Sequence, residues 1–409
     1  MNFNLVRVGD VVSFQNGYAF KSKDFTQNGF FKIIKIKELK NGKIKFFSDS
    51  ARININDENI LNKYKVENGD ILFALTGDPI SKNNPLSWVG RISIYKNKDI
   101  ALLNQRVCRA IFSNKIDSKY FYYYFRVFEN FFSLASKATG SASQANISTK
   151  TIEESFIQLP PLETQKKIAS ILSALDDKIE LNNKINENLE MQAQAIFKSW
   201  FVDFENIERV TCHANEYFDI SIGKTPPRKE HEWFSNNKFD NIKWVSISDM
   251  GNCGIYINDS SEYLTRKAID KFNIKIVPKN TILLSFKLTI GRIAITNDIM
   301  ATNEAIAHFK TKNQNIIEYL YCYLKNFNFQ ELGSTSSIAT AVNSKIIKSM
   351  PFTIPTNKEL ANFHNVTNGM FNEIRKNQEE NQRLAELRDT LLPKLMNGEI
   401  DVDDVQVKE

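Results

Sequence analysis

Asp176-Asp177-Lys178 is the triplet in this sequence closest to a nuclease's acidic centre, two carboxylates that could hold a metal beside a lysine. It falls, however, inside a seven-residue apolar repeat, on what that repeat marks as the outer, solvated face of a helix. Cys212 beside His213 is the nearest thing to a metal pair, but no further ligand stands close in sequence. His213, His231, His308 and His364 show no H-E-x-x-H spacing. Gly223-Lys224-Thr225 reads like the end of a phosphate loop, yet the glycine needed five residues earlier is Phe218. "GDPIS" and "KTPPR" lack the N-P-P-[YF]-like tetrad of an amino-methyltransferase, and no G-x-G-x-x-G occurs. The sequence therefore predicts no catalytic residues, no metal and no cofactor held by this chain.

What the sequence offers instead is polyanion chemistry, unevenly placed. Residues 1–150 carry 23 Lys/Arg against 12 Asp/Glu, and residues 205–350 carry 18 against 15. Residues 151–204 carry 5 against 9 and residues 351–409 carry 7 against 11, so the net +6 comes from two blocks separated and followed by acidic segments. Such blocks suit binding to a polyanion. The opening "MNFNLVRVGDVVSF" has no apolar run before a small-residue cleavage site, and no stretch has the length of a membrane span, which predicts a cytoplasmic protein without membrane contact. Cys108, Cys212, Cys253 and Cys322 are scattered without a C-x-x-C pair, against both a zinc ribbon and a disulfide framework.

Two blocks follow from an internal repeat. "FIQLPPLETQKKIA" from Phe156 returns as "FTIPTNKELANF" from Phe352, with Pro160 and Pro355 195 residues apart. Further upstream Asn146 matches Asn343, "YFYYYF" from Tyr120 matches "YLYCYL" from Tyr319, "VGRISI" matches "IGRIAI", and "VENGDIL" matches "VPKNTIL", all in the same order. The first copy holds about ten extra residues in "FALTGDPISKNNPLSW", a Gly-, Pro- and Asn-rich loop where two versions of one binding surface would differ. Short β-rich runs precede an aromatic stretch, Tyr120 to Phe132, that reads as packed helix rather than a base-stacking platform.

Each copy ends in a long helix. Sevens counted from Ile168 give Leu175, Asn182, Leu189 and Ile196, flanked by Ile171, Leu172, Ile179 and Ile185; sevens from Phe363 give Met370, Asn377, Leu384 and Leu391, flanked by Val366, Ile374 and Leu387. Asn182 and Asn377 are also 195 apart, one polar residue in each seam, as residues that set register and partner choice. If the helices pair antiparallel, the two asparagines meet. Helices of about 40 residues would make rods of roughly 60 Å. The fold class expected is α+β: two similar mixed α/β domains, 1–152 and 206–352, separated by long helices at 153–205 and 353–409 that form an antiparallel intramolecular coiled coil with a pseudo-twofold repeat.

"GYAFKSKDF", "GDILFALTGD", "GSASQANIS" and "LPPLETQKKIASILSALDDKIELNNKINENLEMQAQAIFKSWFVDF", with "GKTPPRKEHEWF", "WVSISDM" and "LRDTLLPKLMNGEIDV" in the second copy, give a chain that resembles the DNA-specificity subunit of type I restriction-modification systems over essentially its whole length. The resemblance implies a noncatalytic subunit in which each recognition domain reads half of a bipartite site in double-stranded DNA and the helices dock two modification subunits. It further implies S-adenosylmethionine, ATP and magnesium on partner subunits, restriction subunits among them. The second copy departs at "IPTNKELA", where the first has "LPPLETQKKIA". Direct readout uses Arg or Lys on guanine and Asn or Gln on adenine, over many phosphate contacts. The candidates in the first copy are Lys21, Lys23, Lys82, Asn83, Asn84, Arg91, Ser141, Ser143 and Gln144. Their counterparts are Lys224, Arg228, Lys229, Lys287, Arg292, Ser334 and Thr335. The rival reading is a coiled-coil scaffold with two protein-binding heads.

Overall fold

A computed structural model describes residues 3–203, 209–332 and 342–404. Two compact units emerge, Met1–Asp177 with Leu384–Glu409, and Lys178–Arg383, so that each contains one head and a stretch of both long helices.

In the first unit the strands β1 (Asn4–Arg7), β2 (Val12–Asn16), β3 (Ile71–Ala74), β4 (Thr76–Gly77), β5 (Ile92–Ile94) and β6 (Val107–Phe112) are followed by helices α1 (Ser118–Tyr124) and α2 (Phe128–Ala135). Then come β7 (Thr139–Gly140), β8 (Ala145–Asn146), β9 (Phe156–Leu159) and the 36-residue helix α3 (Leu162–Phe197). The main sheet runs β2-β6-β3-β5 and continues through residues 43–44 and 39–40. Every residue of β3 is buried, as a central strand covered on both faces requires. The aromatic run is the cover on one face: Phe73 sits edge-on to both Phe121 and Phe125, and all five aromatic residues of α1 are buried. Asp117 caps α1 through the Tyr120 amide.

The second unit repeats this plan with β10 (Thr211–His213), β11 (Asp219–Ile222), β12 (Ile282–Ser285), β13 (Ile293–Thr296), β14 (Ile306–Lys310), α4 (Ile317–Asn326), β15 (Pro351–Thr353) and the 40-residue helix α5 (Asn357–Met396). Its sheet runs β11-β14-β12-β13 and continues through residues 256–257, the order of the first unit. The β1–β9 ladder of the first head returns as β10–β15. Repeated hydrogen bonds mark the shared scaffold: the Tyr120 hydroxyl donates to the Gln158 carbonyl, and that of Tyr319 to the Thr353 carbonyl.

The long helices start and stop for local reasons. Gln165 anchors the entry to α3, its amide donating to the Pro160 carbonyl and its oxygen accepting from the Asp117 amide. At α5 Thr356 and Glu359 form a reciprocal cap. Beyond Phe197 the chain widens into a π turn, Lys198–Val202, whose carbonyls at Trp200 and Phe201 accept from Arg209. Within each unit the helix stretches run antiparallel. In the first, Asp176 of α3 meets Arg388 of α5; in the second, Asn186 meets Asn377 while Phe197 meets Phe363. The buried stripe of α3 passes through Gln165, Ile168, Leu172, Asp176, Asn182, Ala193 and Phe197. Ile185, Val366 and Leu387, expected on the seam, are instead exposed, at 37%, 45% and 48%.

Candidate nucleic-acid interface

Both heads release their first basic loop by the same backbone crossing. Gly17 and Gly223 end β2 and β11, and a Cβ at either would lie 2.1 Å from a carbonyl oxygen, that of Asn104 or Asn303. Only glycine fits there. In the first head Lys21 and Lys23 follow, both exposed. In the second, Lys224 donates to the Phe272 carbonyl at 2.7 Å. Arg228 lies 4.6 Å above the Trp244 ring and makes a two-pronged contact to Glu262 at 2.7 and 3.0 Å, and Lys229 is exposed. Gly223 of the phosphate-loop lookalike thus serves a chain crossing, while the Thr225 hydroxyl donates to Glu304. Burial works against the Glu304 carboxylate, but that hydroxyl, its own amide and the charges of Lys287 and Arg228 hold its carboxyl below the usual range.

The extra loop of the first copy folds onto a distant hairpin. Its strand β4 pairs with β8, which pairs with β7, making a three-stranded sheet in which the Thr76 hydroxyl donates to Asn146. The Lys82 ammonium stands 2.8 Å from Asp78 and 3.4 Å from the Ser143 carbonyl, 61 residues away. Its hydrogen bond lowers the Asp78 carboxyl below its ordinary value. Lys82, Asn83 and Asn84 are thereby brought to the hairpin turn of Ser141, Ser143 and Gln144, all six exposed. Trp88 roots the loop, wedged among Phe128, Phe131 and Phe132 with its indole nitrogen donating to the Lys82 carbonyl.

Arg91 and Arg292 share one structural role. Each follows a positive-φ glycine, Gly90 or Gly291, and turns its guanidinium inward. Arg91 donates to the carbonyls of Leu86 and Ile36, and Arg292 to that of Ile247. Ile36 and Ile247 are matching first residues of short helices whose third residue, Glu38 or Asp249, accepts from the amide just before the helix, so both arginines tie a helix start to the sheet. Burial lowers the Arg91 guanidinium, with Asp78 opposing. Lys287 is exposed at the β12–β13 turn. Ser334 and Thr335 lie outside the described residues.

Two helix expectations are corrected. The register asparagines are buried, Asn182 fully and Asn377 at 6% exposure, but they do not meet each other. Asn182 donates to Glu380 at 2.7 Å and Asn381 at 2.9 Å, while Asn377 donates to Asn186 at 2.9 Å, since the antiparallel register is displaced by one helical turn. Asp176, expected on a solvated face, is buried: it accepts from the Tyr123 hydroxyl at 2.8 Å and Arg388 at 2.6 Å, with Arg126 at 3.5 Å. Burial alone would raise its carboxyl, but Arg388, Arg126 and Tyr123 together hold it below the usual range. Among the described residues no cluster of three or more His, Cys, Asp or Glu is placed to hold a metal, and the four cysteines are free. The His213 ring bonds the Ser349 carbonyl. No helix among the described residues is long and apolar enough to cross a membrane.

A duplicated sheet-and-helix head, each copy feeding a long helix of an antiparallel pair and presenting polar loops at one edge, defines a modular recognition protein. The chain belongs to the family of the type I restriction modification DNA specificity domain, which its sequence matches over residues 1–191 and 211–387. It is 26% identical over 348 residues to the type I restriction enzyme HindI specificity subunit of Haemophilus influenzae, covering 66% of this chain and 74% of that one. To the MjaIX specificity subunit of Methanocaldococcus jannaschii it is 27% identical over 340 residues, 78% and 76% of the two chains. A crystal structure of a type I restriction-modification S subunit from M. genitalium shares the fold, with a TM-score of 0.56 at 16% identity over 96% of each chain. Members of this class are noncatalytic recognition subunits of restriction-modification complexes. Sequence reasoning named Lys287 on the β12–β13 turn but not its neighbour Leu288, whose one signal was "FKLTIG", a tight turn carrying leucine where turns usually carry Asn or Gly.

Proposed function

We propose that this chain reads a bipartite site in double-stranded DNA, one half by each head. Its helices fix the interval between the halves and dock two modification subunits that bring S-adenosylmethionine; restriction subunits using ATP and magnesium complete the assembly in the cytoplasm. The observation that carries this reading is the convergence of Lys82, Asn83 and Asn84 with Ser141, Ser143 and Gln144 on one exposed edge, from segments distant in sequence. These side chains combine phosphate-seeking charge with amides able to pair base edges. Arg91 and Arg292 each tie a helix start to the sheet of their own head, while Lys21, Lys23, Lys224, Arg228, Lys229 and Lys287 extend the cationic surface of their own heads, with Ser334 and Thr335 assigned by repeat alone.

Duplex affinity should fall steeply as salt rises, in proportion to the phosphates neutralised. Salt-independent retention of DNA, or none, would favour protein-binding heads. For the interval, seven matched residues deleted from both helices should shorten the gap between half-sites while leaving their sequences unaltered. Mapping methylated adenines in cells carrying each version reads this directly, and an unchanged gap would remove the spacer role.

A further inference from the structure

Five non-glycine residues among the described ones have positive φ. Asn41, Asp240, Asn273 and Asn280 are types that tolerate the left-handed region; Leu288, at φ +60°, is not. It sits at the tip of the β12–β13 connection in a three-residue turn closed by the Thr289 amide on the Lys287 carbonyl at 2.6 Å, a strained form seldom used. Its side chain is 99% exposed.

The loop is braced to hold that tip. The Ser285 hydroxyl donates to the Thr289 carbonyl at 2.6 Å and accepts from the Arg292 amide at 3.0 Å. The Gly291 amide bonds the Ser285 carbonyl, and Phe286 beneath is buried with its amide on the Ala305 carbonyl. A rigid backbone thus points one aliphatic group into water, a conformation costly in backbone strain and in hydration together. Such an arrangement persists where its exposed form is not the working form.

Resting on the DNA reading above, we infer that Leu288 is a wedge that enters a base step of the half-site read by the second head and unstacks it. Lys287, exposed, flanks the tip directly and supplies a cation able to hold an adjoining phosphate. Apolar side chains inserted between bases are how proteins kink a duplex. A protein hot spot would need a broad apolar surround; here Ile290, 38% exposed, is the one other exposed apolar residue of the turn, and Lys287 and Thr289 flank Leu288 directly.

The test uses the full chain and duplexes recovered with it from a random-sequence pool. Bound duplexes are probed with permanganate for unstacked thymines and diethyl pyrocarbonate for unstacked purines. Wild-type protein should create one hyperreactive step in one half-site. Leu288→Ala should abolish it while lowering affinity by roughly tenfold, and Leu288→Phe should retain it. Hyperreactivity surviving Leu288→Ala, or absent from the wild-type complex, overturns the wedge and assigns the leucine to a protein-facing surface. Failure to recover any duplex overturns the DNA reading, and the wedge with it.

Discussion

Asp176 and Phe371 stand 195 residues apart at matching points of α3 and α5, each facing the aromatic helix of its own head, and they have opposite chemistry. Asp176 lies in a buried cluster with Tyr123, Arg126 and Arg388. Phe371 packs edge-on to Tyr321 at 5.5 Å, with Cys322 at the place of Tyr123 and fully buried Ala193 at the place of Arg388. The second head keeps a charge nearby but carries it on the other helix, where Glu190 accepts from Tyr321 and pairs with Lys325. Duplication therefore preserved the path of the backbone while each junction acquired its own chemistry. A stretch of α3 carrying Asp176 would bury an unpaired carboxylate if seated against the second head, and Phe371 would strand two arginines in the first. The two heads are thus each matched to their own stretches of stalk, although built on one plan.

The largest expected effect breaks the charged junction. Asp176→Ala leaves Arg126 and Arg388 facing each other at low exposure and should cost about 3–5 kcal/mol in the first unit. Asp176→Leu with Arg388→Leu should recover most of that loss, because apolar groups of similar volume replace the pair. Native-state hydrogen exchange on the β3 and α1 amides reads both; a double variant as unstable as the single one would show that packing rather than charge governs the site. Acid should separate the heads as well. Burial, with the Lys310 charge, pushes the His308 ring down to about 3, where it bonds the hydroxyls of Ser221 and Thr302. Between pH 6.5 and 3 the unfolded chain holds a proton that this folded histidine does not, so stability falls with pH, by up to ~1.4 kcal/mol per unit. Asp176, whose folded carboxyl is lowered, contributes stability above the ordinary carboxylate value and loses it only as pH falls below about 4. The matching position in β6 is Arg109, which donates to the Lys65 carbonyl and pairs with Asp70. Protection factors, corrected for the intrinsic pH dependence of amide exchange, should fall first in the second unit between pH 7 and 4, and His308→Gln should flatten that slope.

What the sequence disclosed and what it withheld divide along a physical line. Ordered matches such as Gly90-Arg91 with Gly291-Arg292 revealed the repeat, because a positive-φ glycine and the arginine behind it are needed wherever that turn occurs. Heptads revealed the helix pair, since burial every three or four residues is a one-dimensional signal. The inward direction of both arginines was not legible: it depends on the carbonyls of Ile36 and Ile247, which only the folded chain brings within reach. Asp176 was misplaced for a related reason, as its partners Tyr123 and Arg388 lie 53 and 212 residues away. The convergence of Lys82 with Ser143 likewise awaited the β4–β8 pairing.

A smaller effect sharpens the contrast between the stalk asparagines. Asn182 Oδ1 is buried without a partner, while its Nδ2 serves Glu380 and Asn381, both partly exposed. Asn182→Leu should therefore raise stability by about 1 kcal/mol, because water can satisfy the two released groups while the unpaired acceptor disappears. Register should loosen at the same time, as a polar seam residue penalises slipped pairings. Urea unfolding checks the first part; disulfide trapping between cysteines placed at residues 186 and 377, with faster formation of off-register pairs in the variant, checks the second.

The smallest effect concerns the connections in which the heads differ most. In the first head the β3–β5 loop spends its extra residues on β4, on the Trp88 root and on the Lys82–Asp78 pair, and its one positive-φ residue is a glycine, Gly90. In the second, the shorter β12–β13 turn is braced through the Ser285 hydroxyl and places Leu288 in the left-handed region. Leu288→Gly removes the Cβ that clashes there, a relief of about 1 kcal/mol offset in part by the greater freedom of glycine in the unfolded chain, for a net gain of roughly 0.5 kcal/mol. Leu288→Asn should gain a similar amount without that offset. Matched changes at Leu86 of the first loop, which is 65% exposed but at ordinary φ, should gain nothing. Thermal unfolding of the four proteins compares these directly: a rise confined to the two Leu288 variants means the second head carries strain at its tip that the first avoids, and equal behaviour at both loops would mean the turn relaxes in solution.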